Sequence, residues 1–181
     1  MGVFETPGLP LQKISAMPVI TSLSQLDLDK SYTYADYLLW QFEERVELIK
    51  GKILQIAAPS RVHQQVSINL STILKNAFWK SPCKVCAAPF DVRLPHFSQQ
   101  KNKDVVTVVQ PDLCVICDPA KLDDRGCKGS EVLEYWIVSP IEKAIQVFRL
   151  NEQGKYYGIQ PFVEDDDFTT PVLPGAQISL Q

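Results

Sequence analysis

Between Val108 and Asp118 the chain reads Val-Val-Gln-Pro-Asp-Leu-Cys-Val-Ile-Cys-Asp, a Pro-Asp pair followed by an apolar run. Leu113 to Cys117 is too short for a helix and branched enough for a strand buried on both faces, so the run is expected at the centre of a sheet. Pro111 has no amide proton and can open such a strand but hardly sit inside it, which puts Asp112 at the strand's first pairing position, on the sheet margin. A carboxylate held there is a good ligand for Mg²⁺ or Mn²⁺, hard cations that take oxygen donors and keep positions open for phosphate and water. The alternative is an aspartate that only bonds nearby backbone amides.

Two further side chains could join it. Glu47 lies between Val46 and Leu48 on an expected strand, either as ordinary surface or, turned towards Asp112, as a second carboxylate of the same site. His63 falls in the first turn of an expected helix, where its side chain can reach a neighbouring site or remain exposed or capping. Cys83-Lys-Val-Cys86 and Cys114-Val-Ile-Cys117 have the spacing of a four-cysteine zinc site. The residues between them prefer strands, however, and in a strand positions three apart point to opposite faces. Small core thiols are therefore the expected role, and an odd count of five cysteines without an export signal points to reduced thiols.

Several elements must position these groups. Thr33 caps a short helix with Tyr34, Tyr37, Leu38 and Phe42 on one face. Val46 to Ile49 and Lys52 to Ile56 flank Lys50-Gly51 as a hairpin. Ser60 caps an amphipathic helix in which Val62, Val66, Leu70, Ile73, Leu74 and Ala77 recur at steps of three and four, to about Trp79. Val85 to Leu94 is strand-like, with Asp91 and Arg93 sharing one face, and a polar loop with Lys101 and Lys103 precedes the central strand. The charged segment from Pro119 to Gly129 reads as a solvated loop. Leu133 to Val138 is a strand, Ile145 to Leu150 and Lys155 to Gln160 a hairpin, and Ala176 to Leu180 a closing strand. The acidic run Glu164 to Asp167 reads as solvated.

The chain's 181 residues, 45% hydrophobic and 22% charged, suit one domain with its own core. The expected organisation is a loose N-terminal leader over residues 1–30, with Met17 as a candidate second start, and one domain over 31–181. No run is apolar enough to span a membrane and the start lacks the pattern of an export signal, so a cytoplasmic location without a membrane partner is expected. A net charge of -3 provides no global attraction to nucleic acid, so any such contact must come from a local patch.

Six stretches in this order, Glu47-Leu48-Ile49-Lys50-Gly51, Ala58-Pro59-Ser60 with His63-Gln64, Asp91-Val92-Arg93-Leu94, Gln110-Pro111-Asp112, Leu122-Asp123-Asp124-Arg125-Gly126 and Glu134-Tyr135-Trp136-Ile137-Val138, resemble a large bacterial family of putative restriction endonucleases. That family belongs to the PD-(D/E)xK nuclease superfamily, and the likeness runs from about Tyr32 to the C-terminus. It implies an α/β (α+β) class, restriction-endonuclease-like mixed sheet with helices packed on it, and phosphodiester cleavage of DNA with Mg²⁺ or Mn²⁺. By the resemblance Asp112 is the metal-binding aspartate, and Glu47 and His63 occupy acidic and histidine positions that approach the same cleft. Family members normally continue with a strand carrying a second acidic ligand in a Glu-Ile/Val-Leu-Ser-Pro-Ser setting, then a helix supplying a lysine. Here Gly126 to Ser130 runs almost directly into Leu133-Glu134-Tyr135-Trp136, so the fold is expected to be internally shortened, with Glu131 the remnant of the lost metal ligand. Activity is then expected to be reduced or lost. The alternatives are a catalytically inactive homodimeric or DNA-binding remnant and, third, a zinc module. Removal of an internal strand and its covering helix exposes apolar area that a second subunit would fill, so a homodimer is expected.

Overall fold

In the structure, a computed structural model that describes residues 19–97, 99–129, 132–164, 166–173 and 178–179, Thr33 caps the first helix, α1 (Tyr34–Tyr37). Its hydroxyl accepts from the Asp36 amide and the Asp36 carboxylate accepts from the Thr33 amide at 2.8 Å, so two donors at the helix start satisfy each other's partners. Strands β1 (Val46–Ile49) and β2 (Lys52–Gln55) form the expected hairpin. Lys50 and Gly51 both have positive φ, 52° and 81°, as a two-residue turn between twisted strands requires. Ser60 caps α2 (Arg61–Ala77), accepting from the His63 amide at 3.2 Å, as its spacing predicts.

Prolines decide what happens next. The strand-like run from Val85 to Leu94 is divided at Pro89, after a cis Ala88-Pro89 bond, into β3 (Lys84–Ala87) and β4 (Asp91–Arg93). Pro111 likewise separates β5 (Val108–Val109) from β6 (Leu113–Ile116). β3 pairs only with β6, while β4 pairs with β5, so the four pieces make one long antiparallel hairpin that leaves a two-stranded ribbon and enters a larger sheet. Between the pairs Ala88 to Asp112 and Val92 to Val109, residues 89–91 face residues 110–111, one residue more on one side. Such a bulge bends the strand and re-aims its side chains. This corrects the expectation for Leu113 to Cys117: the run is half-buried in a two-stranded ribbon, and the centre of the five-stranded sheet, order β2-β1-β5-β4-β7, is β5. A proline without an amide donor ends one ladder as readily as it opens the next.

β7 (Gly126–Lys128) lies in the segment expected to be loop and runs parallel to β4, which makes the sheet mixed. A Cβ at Gly126 would fall 1.9 Å from the Asp91 carbonyl oxygen, so only glycine permits this approach. Residues 129–133 then lead to a second sheet of β8 (Glu134–Ser139), β9 (Ala144–Leu150), β10 (Tyr156–Gly158) and β11 (Phe162–Val163), in which β9 pairs with the other three. β12 (Asp167–Phe168) and β13 (Ile178–Ser179) form a last small pair, the latter within the expected closing strand.

The core is in two parts. Tyr32, Tyr34, Leu48, Val105 and Val108 are buried together beneath α1, and Ile145, Val147, Phe168 and Ile178 form a second cluster against Leu70 and Ile73 of α2. Burial of such side chains contributes roughly 1.5–3 kcal/mol each. Residues 1–18 of the expected leader lie outside the described residues. From Val19 the chain is laid against the domain, with the Gln41 amide donating to the Ile20 carbonyl at 2.7 Å. Among the described residues no helix is long and apolar enough to cross a membrane.

Candidate functional site

Asp112 stands where the ribbon meets the larger sheet. Its backbone carbonyl accepts from the Ala88 amide at 3.1 Å, which fixes the chain, while its side chain remains 56% exposed. The capped first turn of α2 brings His63 to it, with Nε2 3.0 Å from Asp112 Oδ1. The imidazole is itself 41% exposed, so the pair faces solvent and can meet a ligand. Glu47 is on the opposite face of β1 from the buried Val46 and Leu48, as strand alternation requires. Its Oε1 accepts the Gln110 amide proton at 2.7 Å, two residues before Asp112. The carboxylate is thus neither free surface nor a free ligand; it serves a backbone donor beside Pro111. Glu131 lies outside the described residues.

Gln110 connects this margin to a buried cluster that the sequence did not reveal. Its Oε1 accepts from Arg45 Nε at 3.2 Å, and its Nε2 donates to the Tyr37 hydroxyl at 2.9 Å and to Asp91 Oδ1 at 3.1 Å. Asp91, only 6% exposed, also accepts from the hydroxyls of Tyr34 and Tyr37, each at 3.2 Å. Burial, and then the Asp91 carboxylate, push both tyrosine hydroxyls above their ordinary pKa, so they stay protonated and donate. On the same strand Arg93 is 2% exposed; its Nε donates to the Cys127 carbonyl at 3.1 Å, and Nη1 pairs with Asp123 Oδ2 at 2.5 Å. Its guanidinium also lies 5.2 Å from the Tyr34 ring centre. Partial burial works against the Asp123 charge, but the Arg93 guanidinium and the amides of Arg125 and Gly126 outweigh it and hold the carboxyl below its ordinary value. A cavity of 290 Å³ lies over this cluster, with Tyr37, Trp40, Arg45, Asp91, Gln110 and Arg125 in its wall. Alternating Asp91 and Arg93 were the one signal available in the sequence, since two charges on one face of a strand flanked on both sides must be paired within the fold.

The cysteines correct one expectation. Cys86 lies opposite Cys114 in the ribbon, and one step beyond its last register pair Cys83 is joined to Cys117 by a disulfide. Those two cysteines are therefore not reduced thiols. Positions three apart on a strand face opposite ways, so the two C-x-x-C pairs present one couple on each face and cannot enclose a single zinc. The hydrogen-bonded Ala88 to Asp112 pair sets the alternation of the ladder. Cys83 and Cys117 then occupy a non-hydrogen-bonded pair, where side chains approach more closely, and Cys86 and Cys114 a hydrogen-bonded one. Burial pushes the Cys114 thiol up to about 12 and Cys127 up to about 11, which disfavours their thiolates and leaves both weakly nucleophilic.

Among the described residues, no three His, Cys, Asp or Glu side chains converge to hold a metal ion. Asp112 with His63 is a pair, one donor or more short of such a site. The model of the Uma2 family, described as "Putative restriction endonuclease", matches residues 34–131, just over half of the chain. The chain belongs to this family. The Uma2 match takes in Glu47, His63, Asp91 and Asp112 and ends at Glu131. None of the curated proteins matches the chain. Among solved structures it is similar to a putative nuclease belonging to DUF820 from Anabaena variabilis ATCC 29413, with a TM-score of 0.61 and 14% identity over 82% of this chain and 94% of that one. A likeness at that identity establishes the fold: the Uma2 chain has the α+β, mixed-sheet architecture of a nuclease-like domain.

Proposed function

We propose that this Uma2 chain is a DNA endonuclease domain whose phosphodiester hydrolysis is reduced or lost. Asp112 is its principal acid, His63 the imidazole that meets it, and Glu47 the residue that fixes the approach to Asp112 through the Gln110 amide. The observation that carries the reading is the contact of 3.0 Å between His63 and Asp112, two exposed polar side chains brought together from a helix cap and a strand margin with no structural need for each other. An imidazole against a carboxylate at a cleft can orient and exchange a proton with a water or a leaving oxygen.

The cofactor this reading requires is Mg²⁺ or Mn²⁺. The described donors alone do not fit such an ion: Asp112 offers one carboxylate, and Glu47 is engaged by a backbone amide. Glu131 is the candidate for the missing carboxylate. We therefore assign no catalytic step to the metal, and the shortage of ligands is the reason for expecting weak activity. A cytoplasmic setting fits an enzyme acting on DNA.

A plasmid-nicking assay with Mn²⁺ tests this directly. Slow nicking by wild type that Asp112→Asn abolishes supports the reading; no nicking by either, at high enzyme concentration, leaves the catalytically inactive remnant. Nicking that persists unchanged in Asp112→Asn rejects Asp112 as the site.

A homodimer, expected whether or not the chain cleaves DNA, has a specific observation in its favour. Tyr135 and Ile137 alternate along β8, and the register places Phe148 of β9, Tyr156 of β10 and Val163 of β11 on that same outer face of the second sheet. Tyr135, Tyr156 and Val163 are each about half exposed. Such an apolar face is what a second copy would cover. A Tyr135→Lys variant that sediments as a monomer where wild type sediments as a dimer would support it; a wild-type monomer at high concentration would remove it.

A further inference from the structure

At the far end of the ribbon from Asp112 lies a feature that nuclease chemistry does not use. Cys117, in the disulfide with Cys83, is exposed to solvent. A cavity of 230 Å³ opens on the Cys83 side, its wall formed with Lys75 from the last turn of α2, Phe78, Trp79, Ser81 and Lys84. Trp79 is 72% exposed, and neither lysine has an ion-pair partner among the described residues. An accessible disulfide is thus combined with two uncommitted ammonium groups and an apolar wall.

We propose that this is an exchange site for an anionic low-molecular-weight thiol, for which glutathione is the probe. The proposal is independent of whether the chain cleaves DNA. The thiolate seated in the cavity attacks the Cys83 sulfur; a new S–S bond forms to Cys83, the old one breaks, and Cys117 leaves as a thiolate into solvent. A second thiolate attacks the sulfur of the bound thiol, releases the small-molecule disulfide and leaves Cys83 reduced. Two electrons pass from two thiols to one protein disulfide, and the reverse sequence with the oxidised small molecule restores it. The lysines raise the local concentration of an anionic thiol, and Cys83 is the attacked sulfur because it lines the cavity. Cys86 and Cys114 do not intercept the reaction, since they lie on the other face of the ribbon.

The test compares reduction of the intact full-length chain by glutathione, which carries two carboxylates besides its thiolate, and by 2-mercaptoethanol, which carries none, at equal thiolate concentration. In Lys75→Gln/Lys84→Gln the glutathione rate is expected to fall about fivefold relative to the 2-mercaptoethanol rate, the size of one contact between charges in water. Alkylation during the reaction should trap the glutathione adduct on Cys83. Equal effects on both thiols, no effect on either, or an adduct on Cys117 overturns the proposal. Should the double variant fail to fold, wild type in about 1 M salt replaces it, where screening should abolish the advantage of glutathione; an advantage that survives salt overturns the proposal equally.

Discussion

Asp91 and Asp112 are carboxylates near one kink in one hairpin, and their surroundings are opposite. Asp91 is buried under three donors from Tyr34, Tyr37 and Gln110, so removing it would take the acceptor from the Tyr34 hydroxyl and one of two acceptors each from Tyr37 and Gln110. Asp112 has its backbone fixed and its carboxylate free except for His63. The bulge at residues 89–91 accounts for the contrast, because one extra residue turns one strand inward while its partner continues along the margin. The difference teaches that an acid close to a family motif is not thereby a reacting group: a saturated carboxylate holds the scaffold, and an exposed one with a single exposed partner is available to a substrate.

The comparison can be broken most sharply at the buried side. Asp91→Ala is expected to cost about 3 kcal/mol, combining lost hydrogen bonds with a small void, read as a lower urea midpoint at unchanged slope. A loss below about 1 kcal/mol would mean that the cluster holds nothing together. Arg93→Met should cost about 2 kcal/mol, less because the Asp123 carboxylate it abandons can turn to water. It also has an acid signature. The folded-state pKa of Asp123 is depressed, so its contribution is present above the unfolded value and is lost as pH falls through the lower folded value. Acid unfolding curves of Arg93→Met should show that segment of pH dependence reduced to what the Arg125 and Gly126 amides sustain, and curves that superimpose on wild type after a uniform offset would refute it. Smallest is Asp112→Asn, expected within about 0.5 kcal/mol of wild type by thermal melting. A loss above about 1.5 kcal/mol would make Asp112 a second structural clasp and erase the contrast.

Local rules made much of the scaffold legible. The Thr33 and Ser60 caps, the Lys50-Gly51 turn and the amphipathic period of α2 each depend on residues within a few positions of one another. Partner choice does not. Leu113 to Ile116 has the composition of a central strand, yet it pairs only with residues 84–87, and nothing in four apolar residues states whether their neighbours will be one strand or two. The same limit applies to the cysteines: spacing predicts opposite faces, whereas only the register tells which sulfurs meet. At the site, alternation along β1 separates Glu47 from Leu48, but its engagement with Gln110 depends on a strand more than sixty residues away. For Asp91 the sequence offers a shared face with Arg93 and a place in a family-like stretch, whereas its burial follows from β5 and β7 flanking β4.

The bond between Cys83 and Cys117 joins positions 34 apart, and Asp91, Gln110 and Asp112 all lie inside the ring of chain it closes. Even without any ordered structure, these three residues cannot drift apart as far as an open chain would allow, a restriction worth about 4 kcal/mol on the entropy model. Glu47 and His63 lie outside that ring. When the bond opens, the carboxylates of the kink lose the closed ring that confines them, whereas the helix and the first hairpin never lay within one.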